Sequence, residues 1–170
     1  MQLEVPIETV QWAAEYAAQR GKTVILDPAP AQKLDDGLIR NSDIITPNET
    51  ELRVLTGEKT DNEHNLQKAA NVLINRGVKT VVNKCGGKGA YLITAQNTTH
   101  IKGYEVTAVD TTAAGDSFNA GLAVSLAKDK DIRECIRYAN AVGAMAVTKM
   151  GAQSAMPTSD ELAKFINEYE

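Results

Sequence analysis

The residues best suited to chemistry lie in one thirteen-residue segment, Asp110-Thr-Thr-Ala-Ala-Gly-Asp116-Ser-Phe-Asn-Ala-Gly-Leu122. Small residues precede Asp116, where a helical pattern begins, so a substrate can approach the backbone closely. The free N–H groups of a first helical turn attract anions, and an aspartate beside a bound phosphate can accept a proton from an attacking hydroxyl. Alternatively, Asp116 only complements the helix dipole. A simple cap requires neither Asp110 nor the small-residue loop, so the whole segment favours the catalytic interpretation.

Two further segments carry residues of interest, each with a plain structural alternative. Asn48, directly after Pro47, is followed three residues later by Glu51, which is the spacing of a capping box at a helix start. The run K-C-G-G-K-G from Lys84 to Gly89 is rich in glycine, which by itself also suits an ordinary turn between two strands. Residue spacing alone therefore favours the cap at Asn48 and assigns the glycine run no certain role.

The elements that must position these segments alternate between strands and helices. Short β-branched apolar runs predict buried strands at 23–26, 43–46 and 79–83, and the runs 90–94 and 98–102 predict an antiparallel hairpin. Apolar residues at helical spacing predict helices near 10–17 and 66–73, from about Gly115, from about Asp131 and from near Thr158. This alternation predicts a parallel sheet covered by helices, with an antiparallel pair attached.

Composition limits the classes of function. The chain has 170 residues, 43% of them apolar, which suffices for one domain with a sizeable core. Its formal net charge of −4, without a block of Lys or Arg, disfavours nucleic acid and anionic lipid as partners. No apolar run approaches the ~20 residues that span a bilayer, and the first residues lack the order of a signal peptide. Cys85 and Cys135 are too far apart for a CxxC site, and two histidines make a zinc centre unexpected. We therefore expect a reduced, cytoplasmic protein.

The segment from Asp110 to Leu122 closely resembles the signature of the ribokinase-like (PfkB) carbohydrate kinases. The resemblance continues in D-P-A-P-A at 27–31, T-P-N-E-T-E at 46–51 and A-V-T-K-M-G-A-Q at 146–153, and it is strongest to the ribokinase branch. It covers essentially residues 1–170, which correspond to the C-terminal, nucleotide-binding and catalytic part of the family's domain. It implies a three-layer α/β/α, Rossmann-like fold with a mostly parallel sheet and an antiparallel hairpin.

The resemblance also implies roles for individual residues in phosphoryl transfer. It assigns Asp116 as the catalytic base, and the loop before it, Ala113, Ala114 and Gly115, as an anion hole. It places ATP at Asn48, Lys84, Gly86, Gly87, Gly89, Gly115 and Asn140. In the family's N-x-x-E motif, Glu51 helps to organise Mg²⁺ indirectly. At the start of the glycine loop Lys84 departs from the family, where Thr or Ser is usual.

A monovalent cation site is the third implication of the resemblance. It places K⁺ at Asp110 and at the backbone carbonyls of Thr112, Ala146, Lys149 and Gly151. The family often adds a serine at the position of Ala155, whereas this chain has its serine one residue earlier, at Ser154. The resemblance therefore predicts a cation site with one altered ligand.

The implied reaction is transfer of a phosphoryl group from ATP to a sugar hydroxyl, with D-ribose to D-ribose 5-phosphate as the first expectation. A fructokinase or nucleoside kinase of the same family is an alternative, and so is a catalytically silent nucleotide-binding module. The family's sugar-contacting strands, and the β-sheet lid through which its members dimerise, have no counterpart in these 170 residues. We therefore expect the chain alone to bind ATP weakly and to leave ribose unphosphorylated, and we expect a homodimer only at full family length.

Overall fold

The computed structural model describes residues 1–169, which contain five strands and seven α-helices. The strands are β1 (Ile25–Leu26), β2 (Ile44–Ile45), β3 (Thr80–Lys84), β4 (Gly89–Ile93) and β5 (Thr98–Lys102). They lie in one sheet in the order in which they occur along the chain. The connections from β1 to β2 and from β2 to β3 each include helical segments.

Three strands of the sheet are parallel. Ile44 of β2 pairs with Ile25 of β1 on one side and with Thr80 of β3 on the other. The connections from β3 to β4 and from β4 to β5 are too short for a crossover, so these neighbours run antiparallel. In the second of these connections the Thr94 N–H donates to the Asn97 carbonyl at 3.0 Å. The mixed α/β sheet expected from the sequence is confirmed.

The first two strands are shorter than the predicted runs 23–26 and 43–46. The Val24 N–H donates to a carboxylate oxygen of Asp43 at 2.9 Å, so a side chain takes the place of a ladder partner. Backbone bonding continues beyond both strands, because the Thr46 N–H donates to the Leu26 carbonyl at 2.9 Å. The predicted runs therefore mark the right segments, and the side chain of Asp43 replaces a backbone partner at the amino-terminal end of the paired strands.

The helices follow the predicted stripes closely. Their bounds are α1 (Ile7–Ala18), α2 (Asp36–Arg40), α3 (Glu49–Thr56), α4 (Glu63–Asn75), α5 (Ala114–Leu126), α6 (Ile132–Ala146) and α7 (Ser159–Tyr169). Short 3₁₀ turns occupy Gly86–Lys88 and Gln153–Ala155. Only α2 has no counterpart among the predictions, because five residues are too few to display a stripe. It begins at Asp35, whose side chain accepts the Gly37 N–H at 2.6 Å.

The described residues divide into two compact units. The first unit comprises residues 1–84 and 91–99. Its core contains buried side chains from the parallel strands, such as Leu26, Ile45 and Val81. The apolar stripe of α4, which includes Leu66 and Leu73, is buried as well. This unit carries Asn48, Glu51 and Lys84.

The second unit comprises residues 85–90 and 100–169. Helices α5 and α6 pack closely in it, because a Cβ at Gly121 would lie 2.9 Å from the Val142 side chain and 3.1 Å from the Ala139 backbone. Helix α7 is held by a cluster of aromatic rings, in which the centroid of Tyr104 lies 5.2 Å from that of Phe165. This unit carries the glycine loop and the segment around Asp116.

Candidate functional site

The amino-terminal end of α5 has no side-chain cap, and we call it open for that reason. Four helices begin at an Asp or Asn whose side chain accepts a backbone N–H of the first turn: α2, α3, α4 and α6. The residue before α5 is Ala113, which has no polar side chain to do so. The Ala114 N–H donates to the Thr111 carbonyl at 3.2 Å, whereas the N–H groups of Gly115 and Asp116 donate to no backbone carbonyl among the described residues. Free donors of this kind attract an anion.

The backbone at Ala113 turns sharply into the helix. Its φ of 57° and ψ of 18° lie in the left-handed region, which residues with a side chain adopt rarely. Strained backbone of this kind costs of order 1–3 kcal/mol and is concentrated at functional sites. The turn places Ala113, Ala114 and Gly115 at the start of α5, and their role as an anion hole remains a prediction.

Asp116 lies in the first turn of α5 and is exposed. No hydrogen bond or ion pair of its carboxylate is found within residues 1–169, so the group is accessible to a substrate. The next two residues, Ser117 and Phe118, are buried and anchor the turn that presents it. The structure therefore holds Asp116 in place through its neighbours while its carboxylate faces solvent.

Asp110 joins two distant segments of the second unit. Its two carboxylate oxygens accept the N–H groups of Thr112 and Gly151, each at 2.9 Å. Hydrogen bonds from the Thr112 side chain, and then from the backbone of Gly151 and Thr112, lower the pKa of Asp110 below its ordinary value. A carboxylate that stays ionised beside backbone oxygens is suitable for a hard cation.

The carbonyl groups predicted for the cation lie at the end of α6 and in the segment that follows it. The Val147 carbonyl accepts the N–H groups of Val109 and Asp110, at 2.7 and 3.2 Å, so this segment lies directly beside Asp110. Ala146 and Lys149 flank it, and the Ala146 carbonyl accepts the Lys149 N–H at 3.4 Å. The structure thus brings together the five residues that the resemblance assigns to K⁺.

Ser154, which lies one residue before the family's usual serine position, is beside the same segment. A Cβ at Gly151 would lie 2.7 Å from the Ser154 hydroxyl oxygen, so Ser154 is the serine that is close to Gly151. That hydroxyl donates to the Met150 carbonyl at 3.4 Å. Ala155 is buried. The sequence shift by one residue therefore keeps a hydroxyl group near Gly151.

Lys149 also links this segment to α7. Its ammonium group lies 3.2 Å from a carboxylate oxygen of Glu161. Hydrogen bonds from the backbone and side chain of Thr158, followed by Lys149, lower the pKa of Glu161 to about 2. The resemblance assigns Lys149 only a carbonyl role, and its side chain has this second, structural contact.

The glycine loop is shaped by its own packing. Gly89 has a φ of 98°, and a Cβ there would lie 2.2 Å from the Ile101 carbonyl oxygen and 2.4 Å from the Gly103 nitrogen. Gly86 has a φ of 55° with open space around it, and Gly87 also faces open space. The turn therefore requires glycine at Gly89 for packing, while Gly86 and Gly87 leave room for an approaching molecule.

Asn140 lies on α6 and is buried. Its amide nitrogen donates to the carbonyls of Ile101 and Lys102 at 3.2 and 3.3 Å, which ties α6 to the end of β5. The predicted ATP contact of Asn140 remains a prediction, and its amide donor already has this structural function.

The capping box at the start of α3 is present in the first unit. The Asn48 side chain accepts the Glu51 N–H at 2.8 Å, and Glu51 accepts the Asn48 backbone N–H at 2.7 Å. The Asn48 amide also donates to the second carboxylate oxygen of Glu51 at 2.8 Å. Both side chains are only partly buried. The capping interpretation is therefore confirmed, and it holds a carboxylate and an amide rigidly at the carboxyl end of β2.

Lys84 has a partner that the sequence analysis missed. Its ammonium group lies 3.1 and 3.0 Å from the two carboxylate oxygens of Asp27, the residue that directly follows β1. A lone acid after one buried strand and a lone lysine at the end of another are the only sequence signs of this pair. The side chain of Lys84 thus forms an ion pair with Asp27 in the first unit.

Residues 1–169 contain neither a membrane-spanning helix nor a cluster of metal-binding side chains. No helix there is long and apolar enough to cross a membrane. The same residues contain no cluster of three or more His, Cys, Asp and Glu side chains arranged to hold a metal ion.

Comparison with known proteins identifies the family. The model described as pfkB family carbohydrate kinase matches residues 1–159. This chain belongs to the pfkB family of carbohydrate kinases. Ribokinase of Haemophilus influenzae is 46% identical to it over 166 residues, which are 98% of this chain and 54% of that protein. The chain therefore spans about half the length of the curated relatives that it matches.

Solved structures of other pfkB family members share the fold. Ribokinase of Arabidopsis thaliana, complexed with ribose and ATP, matches 97% of this chain and 54% of its own with a TM-score of 0.93 and 33% identity. A putative ribokinase II of E. coli, in complex with ATP and Mg²⁺, matches 94% of this chain and 53% of its own with a TM-score of 0.79 and 27% identity. The fold expected from the sequence is thus found in kinases with nucleotide bound.

Proposed function

We propose that this chain is the nucleotide-binding and catalytic part of an ATP-dependent sugar kinase that converts D-ribose to D-ribose 5-phosphate. The observation that carries the proposal is the open start of α5, where free N–H groups and the exposed Asp116 carboxylate lie in the same helical turn. The likeness to ribokinases, one of them complexed with ribose and ATP, supports ribose as the acceptor.

The open turn supplies electrostatic stabilisation. Phosphoryl transfer requires little covalent chemistry from the protein, and positioned donors that face the developing negative charge lower its barrier. The N–H groups of Gly115 and Asp116 are such donors, and the left-handed turn at Ala113 fixes their direction before a ligand arrives. We assign the loop Ala113–Gly115 to the transferred phosphoryl group.

Asp116 acts as the base. Its carboxylate accepts the proton of the sugar hydroxyl while that oxygen bonds to the terminal phosphorus of ATP and the bond from phosphorus to the ADP oxygen breaks. Asp116 lies in the first turn of α5, where the positive end of the helix dipole attracts negative charge. The sugar itself is held by segments of the family that these residues do not match.

The residues present are compatible with the two cations that the family implies. Mg²⁺ prefers oxygen ligands and retains water, and Glu51, whose two oxygens already accept hydrogen bonds from Asn48, suits a contact through water. K⁺ would lie at Asp110 and the carbonyls of Thr112, Ala146, Lys149 and Gly151, where it adds positive potential. Asp110 supports this assignment because its neighbours keep it ionised.

The first test uses the purified 170-residue chain. Calorimetric titration with Mg-ATP should show weak, saturable binding, because the Asn48 and glycine-loop segments and the start of α5 are all formed. A coupled ADP assay should show no ribose-dependent release, because positioning the acceptor hydroxyl accounts for ~7–11 kcal/mol of such a barrier. Absence of any Mg-ATP binding would contradict the proposal and the alternative of a silent nucleotide-binding module alike.

The second test adds the part of the relatives' length that these 170 residues do not match. We would fuse the chain to the part of Haemophilus influenzae ribokinase that it does not match, and assay D-ribose, D-fructose and a nucleoside. Ribose should be the best acceptor, and Asp116→Asn should lower turnover by ~10²–10⁴-fold with little change in nucleotide affinity. Asp160→Asn is the matched control, because Asp160 is an exposed first-turn acid of α7. Equal effects of the two substitutions would reduce Asp116 to a helix-dipole role.

A further inference from the structure

We propose that Lys84 is a positioning residue and not a nucleotide ligand, and that its ammonium group acts as the internal counter-ion of Asp27. In this role it ties the carboxyl ends of β1 and β3 together and fixes the segment that carries Asn48. The inference rests on the proposed function in assigning Asn48 to the nucleotide site. The ion pair itself stands on geometry alone.

The pair is close and largely removed from water. The Lys84 nitrogen lies 3.1 Å from one carboxylate oxygen of Asp27 and 3.0 Å from the other. The side chains are only 13% and 9% exposed, respectively. A lysine side chain is flexible and is rarely buried without a partner. The nearly buried ammonium group, which contacts both oxygens, is therefore held by this ion pair. The other ion pairs found among the described residues are more exposed.

The ion pair connects two strands of the sheet that are not neighbours. Lys84 is the last residue of β3 and Asp27 follows the last residue of β1, with β2 between these strands. Neighbouring strands lie about 4.8 Å apart, so the contact spans about 10 Å across the end of β2. One ion pair therefore connects three parallel strands at the edge where β2 leads into Asn48.

Backbone contacts join Lys84 to the same segment. Its N–H donates to the Pro47 carbonyl at 2.8 Å, and Lys84 forms an isolated parallel bridge with Asn48. Asn48 in turn holds Glu51 through the capping box. Lys84 thus fixes the Asn48 segment through its main chain, and its side chain fixes Lys84 to Asp27.

A direct contact of Lys84 with a phosphate would require the ammonium group to leave Asp27. The nearly buried carboxylate would then lose the ammonium group that contacts both of its oxygens, which is strongly unfavourable. The amino group of Met1 also lies near Asp27, but burial lowers the pKa of that amine, and the attraction of Asp27 only partly opposes this effect. Lys84 is the residue whose ammonium group contacts both carboxylate oxygens of Asp27.

The experiment is a double-mutant cycle on the 170-residue chain, with Lys84→Met, Asp27→Asn and the double variant. Each is measured by thermal unfolding and by calorimetric titration with Mg-ATP. Lys33→Met is the control, because Lys33 is an exposed lysine of the same unit that has no ion pair among residues 1–169. The singles should melt about 5–15 °C below the wild type, and the control within about 2 °C.

Rescue is the decisive result. Lys84→Met should weaken Mg-ATP binding about tenfold, and adding Asp27→Asn should recover at least half of the loss in both melting temperature and affinity. A ligand lost at Lys84 would not be restored by changing Asp27, so recovered stability without recovered affinity overturns the proposal. Singles that melt within 2 °C of the wild type, or a double variant no more stable than Lys84→Met, overturn it as well. If the wild type binds no Mg-ATP, the proposed function fails, while the melting temperatures still decide the pair.

Discussion

Alanine substitution at three glycines of the loop should separate packing from ligand approach. Gly89 is buried, and its φ of 98° and ψ of −137° fall in a region that only glycine occupies readily. A Cβ there would lie 2.2 Å from the Ile101 carbonyl oxygen, 2.4 Å from the Gly103 nitrogen and 2.7 Å from the Lys102 carbonyl carbon. These are backbone atoms, which cannot rotate away as a side chain does.

The magnitude for Gly89→Ala follows from two costs. The unfavourable dihedral angles contribute about 1–3 kcal/mol, and displacing packed backbone contributes about 1–3 kcal/mol more. The free energy of unfolding should therefore fall by about 2–6 kcal/mol. Gly86→Ala carries only the left-handed cost of about 1–2 kcal/mol, offset by about 0.4–1 kcal/mol through restriction of the unfolded chain. Gly87→Ala meets neither strain nor contact and should be neutral or slightly stabilising.

Urea unfolding of the three variants measures this series directly. At a slope of about 2 kcal/mol/M, the midpoint of Gly89→Ala should drop by about 1–3 M, and that of Gly87→Ala should barely move. In Mg-ATP titration, Gly86→Ala and Gly87→Ala should weaken binding although they change the unfolding midpoint little. A methyl group at either open position obstructs an approaching phosphate without disturbing the fold. A Gly89→Ala midpoint within 0.3 M of the wild type, or a larger loss at Gly87 than at Gly89, would refute the packing argument.

Three further results are expected. Asn48→Ala and Asn62→Ala each remove a helix cap and should each lower the free energy of unfolding in urea by about 1 kcal/mol. Only Asn48→Ala should weaken Mg-ATP binding. Equal Mg-ATP affinities of the two variants would leave Asn48 with a capping role alone. In the fusion protein, K⁺ should raise activity over a large organic cation at equal ionic strength, and Asp110→Ala should abolish the response, whereas a flat wild-type response would remove the cation site. The pKa of Glu161 is lowered to about 2, so its contribution to stability is present above about pH 4.5 and is lost toward pH 2. Glu161→Gln should therefore be less stable than the wild type at pH 7 and equal to it near pH 2. Thermal unfolding across that pH range measures the difference.

The sequence by itself determined the features that depend on near neighbours. The cap of α3 joins Asn48 to Glu51, three residues on, and the stripe of α4 repeats within each helical turn, so both could be predicted from spacing. The hairpin of β4 and β5 was predictable for the same reason, since its two runs are separated by only a few residues. The segment ending in Asp116 is contiguous as well, and its small residues and acid already indicated the chemistry of the site.

Only the tertiary structure decided the contacts between distant residues. Lys84 meets Asp27 across 57 positions of sequence, and the Gly151 N–H reaches Asp110 across 41. Such partners depend on the order and direction of the strands and on where α6 ends, and no local pattern encodes these. The left-handed turn at Ala113 is of the same kind, because an alanine adopts it only when the packing on both sides leaves no alternative. The sequence predicted which residues would carry the chemistry, whereas long-range packing determined how each of them is held.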